Sequence, residues 1–204
     1  MTILAIDTSC DETSAAVVQD DRILANIISS QVELHKQYGG VVPMVAKRAH
    51  EERIDPVIEK ALKQARRILK NIDVFAVTYG PGLAIALEVG MRKAKQLAHE
   101  YHTPLIAVNH MEGHIYAVFA GGKKTLPQFP LLALLVSGGH TELVLMQNHG
   151  VYELMGQTMD DAAGEAFDKV ARMLGLGYPG GALLAKLAEE GNPRAYPFTI
   201  PMTR

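Results

Sequence analysis

Residues 4–13 read L-A-I-D-T-S-C-D-E-T, residues 132–141 read L-A-L-L-V-S-G-G-H-T, and these two stretches decide the fold. Each is typical of an apolar strand, a polar turn and the start of a returning strand. They align without a gap at a constant offset of 128 residues (132 − 4 = 128, and 147 − 19 = 128). The repeat predicts two similar lobes in one chain, each opening with strand, turn and returning strand. The identical pairs are Leu4 and Leu132, Ala5 and Ala133, Ser9 and Ser137, Thr13 and Thr141, and Gln19 and Gln147.

Apolar runs and turn residues outside the repeats predict an α/β protein. We expect antiparallel meanders over residues 3–6, 14–19 and 22–28, and again over 131–136, 142–147 and 151–155. Strands over 74–79 and 105–108 and a helix over 83–99 are predicted between them. A helical region over 43–69 is expected to break at Asp55-Pro56, with Pro56 opening a second helix. Gly121, Gly122, Pro127 and Pro130 mark a loop and a lobe boundary, and we divide the chain into lobes 1–108 and 109–204.

Composition excludes several classes of protein. Apolar residues make up 48% of the 204 residues and charged residues 21%, as in ordinary globular proteins. The formal net charge of −2 gives no overall attraction to nucleic acid or membranes, so any polyanion needs a local basic patch. Cys10 is the single cysteine, which excludes an internal disulfide framework and suits a reducing compartment. The N-terminus does not resemble a signal peptide and residues 131–136 are too short to cross a bilayer, so we expect a soluble cytoplasmic protein.

The two polar turns are candidates for binding a nucleotide. A tight turn presents backbone N–H groups, and Gly138 and Gly139 allow a ligand to approach the backbone closely. Two such turns that face each other across a cleft would clamp phosphate groups. The alternative is a pair of ordinary hairpin turns, and the matched pair favours the nucleotide cleft.

Residues 109–114 read N-H-M-E-G-H, which places His110 and His114 four residues apart. On a helix both imidazoles share one face, a common arrangement for two ligands of zinc or iron. The spacing alone leaves open the alternative of two solvated or core histidines. A metalloprotease is excluded because H-E-x-x-H places the glutamate next to the first histidine. Here Glu112 would lie about 200° around the helix from His110, at about 100° per residue.

Further charged groups carry weaker signals. Asp161, Glu165 and Asp168 fall at helical spacing, where they would complement a helix dipole or bind ribose hydroxyls. The turn G-Y-P-G-G, residues 177–181, would offer amides to a phosphate or simply connect two helices. Two basic clusters are candidate RNA contacts or ordinary solvated faces: Lys63, Arg66, Arg67 and Lys70 on one predicted helix, and Arg92, Lys93 and Lys95.

Seven motifs occur in a fixed order: I-D-T-S-C-D-E-T, V-V-P-M-V-A-K-R-A-H-E-E-R, G-P-G-L, V-N-H-M-E-G-H, L-L-V-S-G-G-H-T, D-D-A-A-G-E-A-F-D-K and Y-P-G-G. Together they resemble the tRNA N6-adenosine threonylcarbamoyltransferase family, long known as glycoproteases. The resemblance covers essentially the whole chain. It implies the actin-like ATPase fold, in which an RNase H-like unit is duplicated to form two lobes, in agreement with the repeat. Because the family continues beyond residue 204, the resemblance implies that the second lobe is incomplete.

The resemblance also implies a reaction and its machinery. A threonylcarbamoyl group passes from threonylcarbamoyl-AMP to N6 of the adenosine 3′ of the anticodon, in tRNAs that read codons starting with A. One Fe²⁺ or Zn²⁺ ion would be held by His110, His114 and a later aspartate. The bacterial partners are a metal-free paralogue and a small ATPase. Glu12 and His140, and less directly Asp11, are candidates for general-base work beside the turns. The implied substrate-binding residues are Leu135, Val136, Ser137, Gly138, Gly139, Asp168 and Gly181.

Two departures from the family pattern bear on activity. After G-P-G-L the sequence reads A-I-A-L-E-V-G where the family usually has Gly-Ser, so we expect residues 84–86 to alter that helix start. The family also continues beyond residue 204, which implies that its third metal ligand lies outside this sequence. The alternative function is therefore a truncated non-catalytic fragment or pseudoenzyme that keeps the fold and the partner-binding surface. An actin-like sugar kinase is disfavoured, because such kinases hold magnesium mainly through carboxylates and phosphates.

Overall fold

The computed structural model describes residues 1–120 and 127–199. Its larger sheet has five strands in the order β3-β2-β1-β4-β5. The first three strands form an antiparallel meander, and β4 and β5 run parallel to β1. The predicted meander and the predicted strands over 74–79 and 105–108 are confirmed. The strands are β1 Thr2–Asp7, β2 Glu12–Gln19, β3 Arg22–Ser30, β4 Val74–Gly80 and β5 Leu105–Asn109.

Helices close one face of this sheet. They are α1 Val32–Lys36, α2 Pro43–Ala65 and α3 Ala84–Tyr101, so the predicted helix over 83–99 is confirmed. Alternate residues of β1 enter the core, where Leu4 is fully buried and Ile6 is 2% exposed. They pack with apolar residues of both long helices, among them Ile58 and Ala61 of α2 and Val89 of α3. The alternation of strand side chains and the apolar stripe of each helix therefore meet in one core.

The predicted break at Asp55-Pro56 is wrong. Helix α2 runs through Pro56 without interruption, although a proline removes one backbone hydrogen bond and costs about 3 kcal/mol inside a helix. Ile54 and Val57, on either side of the Asp55-Pro56 pair, are both buried in the same core. Packing against the sheet on both sides of the proline therefore outweighs the local cost.

The predicted basic stripe on one helix is also wrong, because α2 ends at Ala65. Arg66 adopts a left-handed conformation (φ 53°) and terminates the helix, and Arg67 lies beyond it with Nη2 donating to Gln19 Oε1 at 2.7 Å. Lys70 lies on a separate 3₁₀ turn, Leu69–Asn71. The four basic side chains consequently do not share one helix face.

The second sheet contains the predicted second meander, β6 Leu131–Val136, β7 Thr141–Asn148 and β8 Val151–Gln157, in that order. Helix α4, His110–Tyr116, precedes it, and α5, Ala163–Met173, and α6, Gly181–Glu189, follow it. A small core joins Ile115 of α4 to Val144 and Met146 of β7. Gly121 and Gly122 of the predicted loop lie outside the described residues, and the lobe division at 108/109 stays a prediction.

The two opening hairpins have the same register. In the first sheet Ile3 pairs with Val18, and adding 128 to both numbers gives Leu131 and Met146, which pair in the second sheet. The same offset converts Asp7↔Ser14 into Leu135↔Glu142, another observed pair. The predicted structural repeat is therefore confirmed at the level of individual strand pairs. Across the described ranges, the helices are too short or too polar to span a bilayer.

Candidate functional site

The candidate site begins at the edge of the first sheet where the parallel strands β1, β4 and β5 end. Carboxyl ends of parallel strands meet at one edge, which is where α/β proteins commonly bind ligands. Asp7 ends β1, and Asn109 ends β5. Asn109 also caps α4, because its side-chain oxygen accepts hydrogen bonds from the backbone N–H of Met111 (2.8 Å) and Glu112 (3.4 Å). The cap starts α4 at once after β5 and so places His110 beside Asp7.

The two histidines converge as the spacing predicts. His110 Nε2 and His114 Nε2 lie 3.0 Å apart, with their rings edge to face. The other nitrogen of His110, Nδ1, lies 3.5 Å from Asp7 Oδ2. His140, from the turn after β6, reaches the same place, with its ring centroid 6.3 Å from that of His110. The structure thus brings together three histidines and one carboxylate from three different parts of the chain.

The charges at this point suit a cation. Burial, together with the neighbouring His110 and His140, holds the pKa of His114 below its ordinary value, so its ring is neutral at pH 7. Burial alone would raise the pKa of Asp7, but hydrogen bonds from His110, Thr78 and Ser9 outweigh it and lower that pKa well below its usual range. An ionised carboxylate and the neutral imidazole of His114 therefore lie in one cluster with His110 and His140.

The histidine pair fits two positions of a metal site. Nitrogen ligands at about 2.05 Å from a tetrahedral zinc lie about 3.3 Å apart, close to the observed Nε2–Nε2 separation of 3.0 Å. Within residues 1–120 and 127–199, no group of three or more His, Cys, Asp or Glu side chains is arranged to hold a metal. The described chain therefore offers two ligands of the three that the resemblance implies.

Glu112 takes no part in this cluster. Burial raises the pKa of the Tyr152 phenol on β8, and the charge of Glu112 adds to that increase, which places Glu112 beside Tyr152. The two histidines instead face Asp7 and His140. This separation agrees with the exclusion of a metalloprotease from the sequence spacing.

The turn T-S-C-D-E-T is held by a side chain of α2. His50 of α2 bonds Thr13 Oγ1 through Nδ1 (2.8 Å) and the carbonyl of Cys10 through Nε2 (2.9 Å). Glu12 opens β2 at the end of this turn. Its partial burial, with Asp11 adjacent, raises its pKa to about 6. A carboxylate with that pKa accepts a proton more readily than an ordinary glutamate at neutral pH.

The helix start after G-P-G-L contacts the first turn directly, and the expected alteration at residues 84–86 stays a prediction. The N–H of Leu83 donates to the carbonyl of Ser9 at 2.8 Å, and Thr8 Oγ1 donates to the carbonyl of Ala86 at 2.8 Å. Gly82 permits this approach, because a Cβ there would lie 2.6 Å from the Ser9 oxygen. The turn and α3 therefore pack directly, and Ala84 begins the helix.

The turn S-G-G-H-T is stabilised by hydrogen bonds within the turn. Ser137 Oγ accepts hydrogen bonds from the N–H groups of Gly139 (3.3 Å) and His140 (3.0 Å). The start of α5 supports it, since Gly164 N–H donates to the Ser137 carbonyl at 3.1 Å. Leu135 packs into the second core, whereas Gly138 is exposed. Val136, also assigned to substrate binding, is 56% exposed.

Asp168 has a structural partner. Its Oδ1 accepts hydrogen bonds from the N–H groups of Gly180 (2.9 Å) and Gly181 (2.8 Å), the amides expected to meet a phosphate. A ligand at these amides would have to displace the carboxylate oxygen. The same turn faces the first lobe, because burial and the charge of Asp11 raise the pKa of Tyr178 to about 12. The charges of Asp168 and Glu12 also raise this pKa, so both carboxylates belong to the acidic surroundings of Tyr178.

Asp7 is the site residue that the sequence reasoning missed. It lies in the motif I-D-T-S-C-D-E-T, 103 residues before His110, and so long a separation gives no periodic pattern that would link the two residues. Asp7 is the last residue of β1 and His110 directly follows β5, and parallel strands of one sheet bring their carboxyl ends to the same edge. Predicting this contact would have required the order of the strands in the sheet, which the sequence did not supply.

Comparisons with known proteins identify the family of this chain. Residues 22–204 match the profile of the family TsaD, described as tRNA N6-adenosine threonylcarbamoyltransferase. The enzyme of that name from Clostridium kluyveri is 58% identical over 197 residues, which cover 96% of this chain and 57% of the relative. The one from Thermomicrobium roseum is 59% identical over 206 residues, covering 98% of this chain and 56% of the relative. The chain therefore spans somewhat more than half the length of the curated relatives it matches.

A solved structure, YeaZ from Pseudomonas aeruginosa, is similar at a TM-score of 0.50 and 21% identity, covering 77% of this chain and 66% of that one. At this identity the likeness concerns the fold alone, an actin-like α/β fold. The family match extends over residues 22–204, and the relatives share more than half of their aligned residues with this sequence. The chain belongs to the tRNA N6-adenosine threonylcarbamoyltransferase family.

Proposed function

We propose that this chain carries the metal-binding and acyl-transfer residues of a tRNA-modifying transferase. The donor is threonylcarbamoyl-AMP, and the acceptor is N6 of the adenosine 3′ of the anticodon in tRNAs that read codons starting with A. The observation that carries the proposal is the convergence of His110 and His114, with Nε2 atoms 3.0 Å apart, beside both turns of the repeat. A cytoplasmic location follows from a tRNA substrate.

The proposed reaction needs positioning and one proton transfer. The amine N6 attacks the carbamoyl carbon, a C–N bond forms, the C–O bond to phosphate breaks, and AMP leaves with the electron pair. The proton released from N6 passes to a base. Glu12, with its pKa raised to about 6, and His140, close to the histidine pair, are the two candidates.

His110 and His114 would hold one Fe²⁺ or Zn²⁺ ion, which supplies a Lewis acid near the acyl group. The exposed Gly138 and Gly139 would allow the nucleotide to approach the backbone. Val136 lies on the strand leading to that turn. Asp168 and Gly181 would act together, through the hydrogen bond that joins them, by shaping the turn around Tyr178.

tRNA would reach this site through basic side chains of the first lobe. Lys93 pairs with Asp55 at 2.8 Å and Arg92 with Glu51 at 3.6 Å, so these two would contribute less to phosphate binding. Lys95 of the same cluster is exposed, as are Lys63, Arg66 and Lys70. A metal-free paralogue and a small ATPase are the proposed protein partners.

A second candidate is a non-catalytic fragment or pseudoenzyme that keeps the fold and a partner-binding surface. The observation that favours it is the two-histidine arrangement, without a third protein ligand among the described residues. The two candidates differ in metal affinity and in turnover, which can be measured separately.

The test is a transfer assay on the purified chain with unmodified tRNA, threonylcarbamoyl-AMP, the two partner proteins and Fe²⁺ or Zn²⁺, read by mass spectrometry of the nucleosides. We expect modified adenosine with the wild-type chain, and loss with His110→Ala and with His114→Ala. Glu52→Gln, which removes an exposed carboxylate of α2, is the control. If the longer Clostridium kluyveri relative modifies tRNA and this chain does not, the non-catalytic candidate replaces the transferase.

A further inference from the structure

The carboxylate of Asp7 is fixed from three sides. Its Oδ1 accepts a hydrogen bond from Ser9 N–H at 2.7 Å, and its Oδ2 accepts one from Thr78 Oγ1 at 2.7 Å. The same Oδ2 lies 3.5 Å from His110 Nδ1. Ser9 belongs to the turn after β1 and Thr78 to β4, so the backbone of the first sheet holds the side chain in place. Both hydrogen bonds come from the first sheet and its turn, so the position of the carboxylate does not depend on its contact with α4.

The position of this acceptor determines which nitrogen of His110 carries the proton. A neutral imidazole has one N–H, and an acceptor beside Nδ1 favours the tautomer with the proton there. His110 Nε2 is then left with its lone pair, and it points at His114 Nε2, 3.0 Å away. Metal-binding histidines commonly show this arrangement, with the second nitrogen donating to a carboxylate.

An ordinary ion pair explains less of the geometry. In a doubly protonated His110 both ring nitrogens carry a hydrogen, so neither would have a lone pair to offer to a metal ion. An ion pair would also need no particular ring orientation. The two short hydrogen bonds that fix Asp7 are instead suited to hold one imidazole at one angle.

We propose that Asp7 is a positioning residue, which holds His110 in the Nδ1–H tautomer so that Nε2 is presented to a divalent metal ion. The inference rests on the metal site of the proposed function and deepens it. Asp7 touches neither the ion nor the substrate in this proposal and acts only through His110.

The first measurement is the tautomer of His110 in the metal-free chain, by long-range ¹H–¹⁵N NMR of the imidazole at a pH where the ring is neutral. We expect the Nδ1–H form in the wild-type chain, and a shift toward the Nε2–H form in Asp7→Ala. Asp7→Asn keeps the shape and one oxygen acceptor, so a smaller shift is expected. The Nε2–H tautomer in the wild-type chain overturns the proposal.

The second measurement is the affinity for Zn²⁺ alone, by competition with a chelator. Loss of such a partner commonly weakens metal binding about 10- to 100-fold, and we expect a loss in that range for Asp7→Ala and a smaller one for Asp7→Asn. Asp55→Asn is the control, with unchanged affinity expected. Circular dichroism identifies a variant that fails to fold; if Asp7→Ala does so, Asp7→Asn decides.

The outcomes separate the two proposals. If His110→Ala binds Zn²⁺ as tightly as the wild-type chain, the metal site of the proposed function is refuted, while the tautomer measurement still tests Asp7. If His110→Ala loses Zn²⁺ binding but Asp7→Ala keeps both affinity and tautomer, the metal site stands and the role of Asp7 is refuted.

Discussion

The hairpins β1–β2 and β6–β7 have equivalent strand pairing but different surroundings. Leu4 and Ile6 are 0% and 2% exposed, whereas their equivalents at the 128-residue offset, Leu132 and Leu134, are 60% and 67% exposed. In the first sheet β4 pairs with the second edge of β1, and α2 and α3 cover the face. In the part of the chain that the structure describes, β6 pairs with β7 alone. Pairing register is thus a local property of the hairpin, and burial depends on elements contributed from elsewhere.

The largest expected effect contrasts equivalent leucines of the two hairpins. Leu4→Ala removes a fully buried side chain and should lower the free energy of unfolding by about 2–5 kcal/mol. Leu132→Ala truncates an exposed side chain and should change it by no more than about 0.5 kcal/mol. Denaturant unfolding followed by circular dichroism measures both. Equal losses would mean that the outer face of β6 is covered in solution.

The next prediction concerns a feature that the two hairpins share. In each, the start of a helix packs against the turn between the two strands. A Cβ at Gly82 would lie 2.6 Å from the carbonyl oxygen of Ser9, and one at Gly164 would lie 2.7 Å from that of Ser137. We expect Gly82→Ala and Gly164→Ala each to cost about 1–3 kcal/mol through overpacking. Gly138→Ala, where a Cβ meets nothing within 4 Å, is the matched control and should be nearly neutral.

A smaller effect concerns how each turn is anchored. Thr13 is held by the imidazole of His50, whereas its equivalent Thr141 accepts a hydrogen bond from the N–H of Ala163 at 2.8 Å. Burial lowers the pKa of His50, so the unfolded chain binds a proton more readily than the folded one. The contribution of neutral His50 to the free energy of unfolding is complete above the ordinary histidine pKa of about 6.5 and is lost as the pH falls below it.

His50→Gln should therefore cost about 1 kcal/mol above that pH, from weakened hydrogen bonds, and the difference from the wild-type chain should shrink toward pH 5. Thr141→Val should lose a similar amount at every pH, because a backbone amide does not titrate. Unfolding measured across this pH range checks both variants. A pH-independent cost for His50→Gln contradicts the assignment.

The smallest effect on stability tests the exposed face itself. Leu134→Lys should leave the free energy of unfolding within about 0.5 kcal/mol of the wild-type value and reduce self-association, since exposed apolar strand faces promote it. Light scattering at several concentrations provides the readout. Ile6→Lys at the equivalent buried position should prevent folding, because an unpaired charge would enter the core.

Much of the fold could be predicted because its signals are local. The apolar runs of β1 and β2, the short gap between the strands predicted over 14–19 and 22–28, and the constant offset required no knowledge of distant contacts. The break at Pro56 was mispredicted because the local cost of proline was weighed without the packing of Ile54 and Val57 into the core. The prediction of a basic stripe on one helix was wrong because Arg66, in a left-handed conformation, ends α2 before Arg67 and Lys70.

The candidate site was predictable only in part. The helical spacing brought His110 and His114 together, and the motif match singled out the two turns. The role of Asp168 in bonding the amides of Gly180 and Gly181 was not expected, because a twelve-residue separation carries no periodic signal. The assigned substrate-binding residues stay predictions.

The sequence by itself determined the strand–turn–strand repeat, its register and the convergence of the two histidines, since each depends on residues close in the chain or on a constant offset. The tertiary structure alone decided that Leu4 is buried and Leu132 exposed, and that Asp7 meets His110. Both depend on which strands run side by side and which helices cover them. Strand order and coverage result from free energy summed over many distant contacts, and no short stretch of sequence contains that sum.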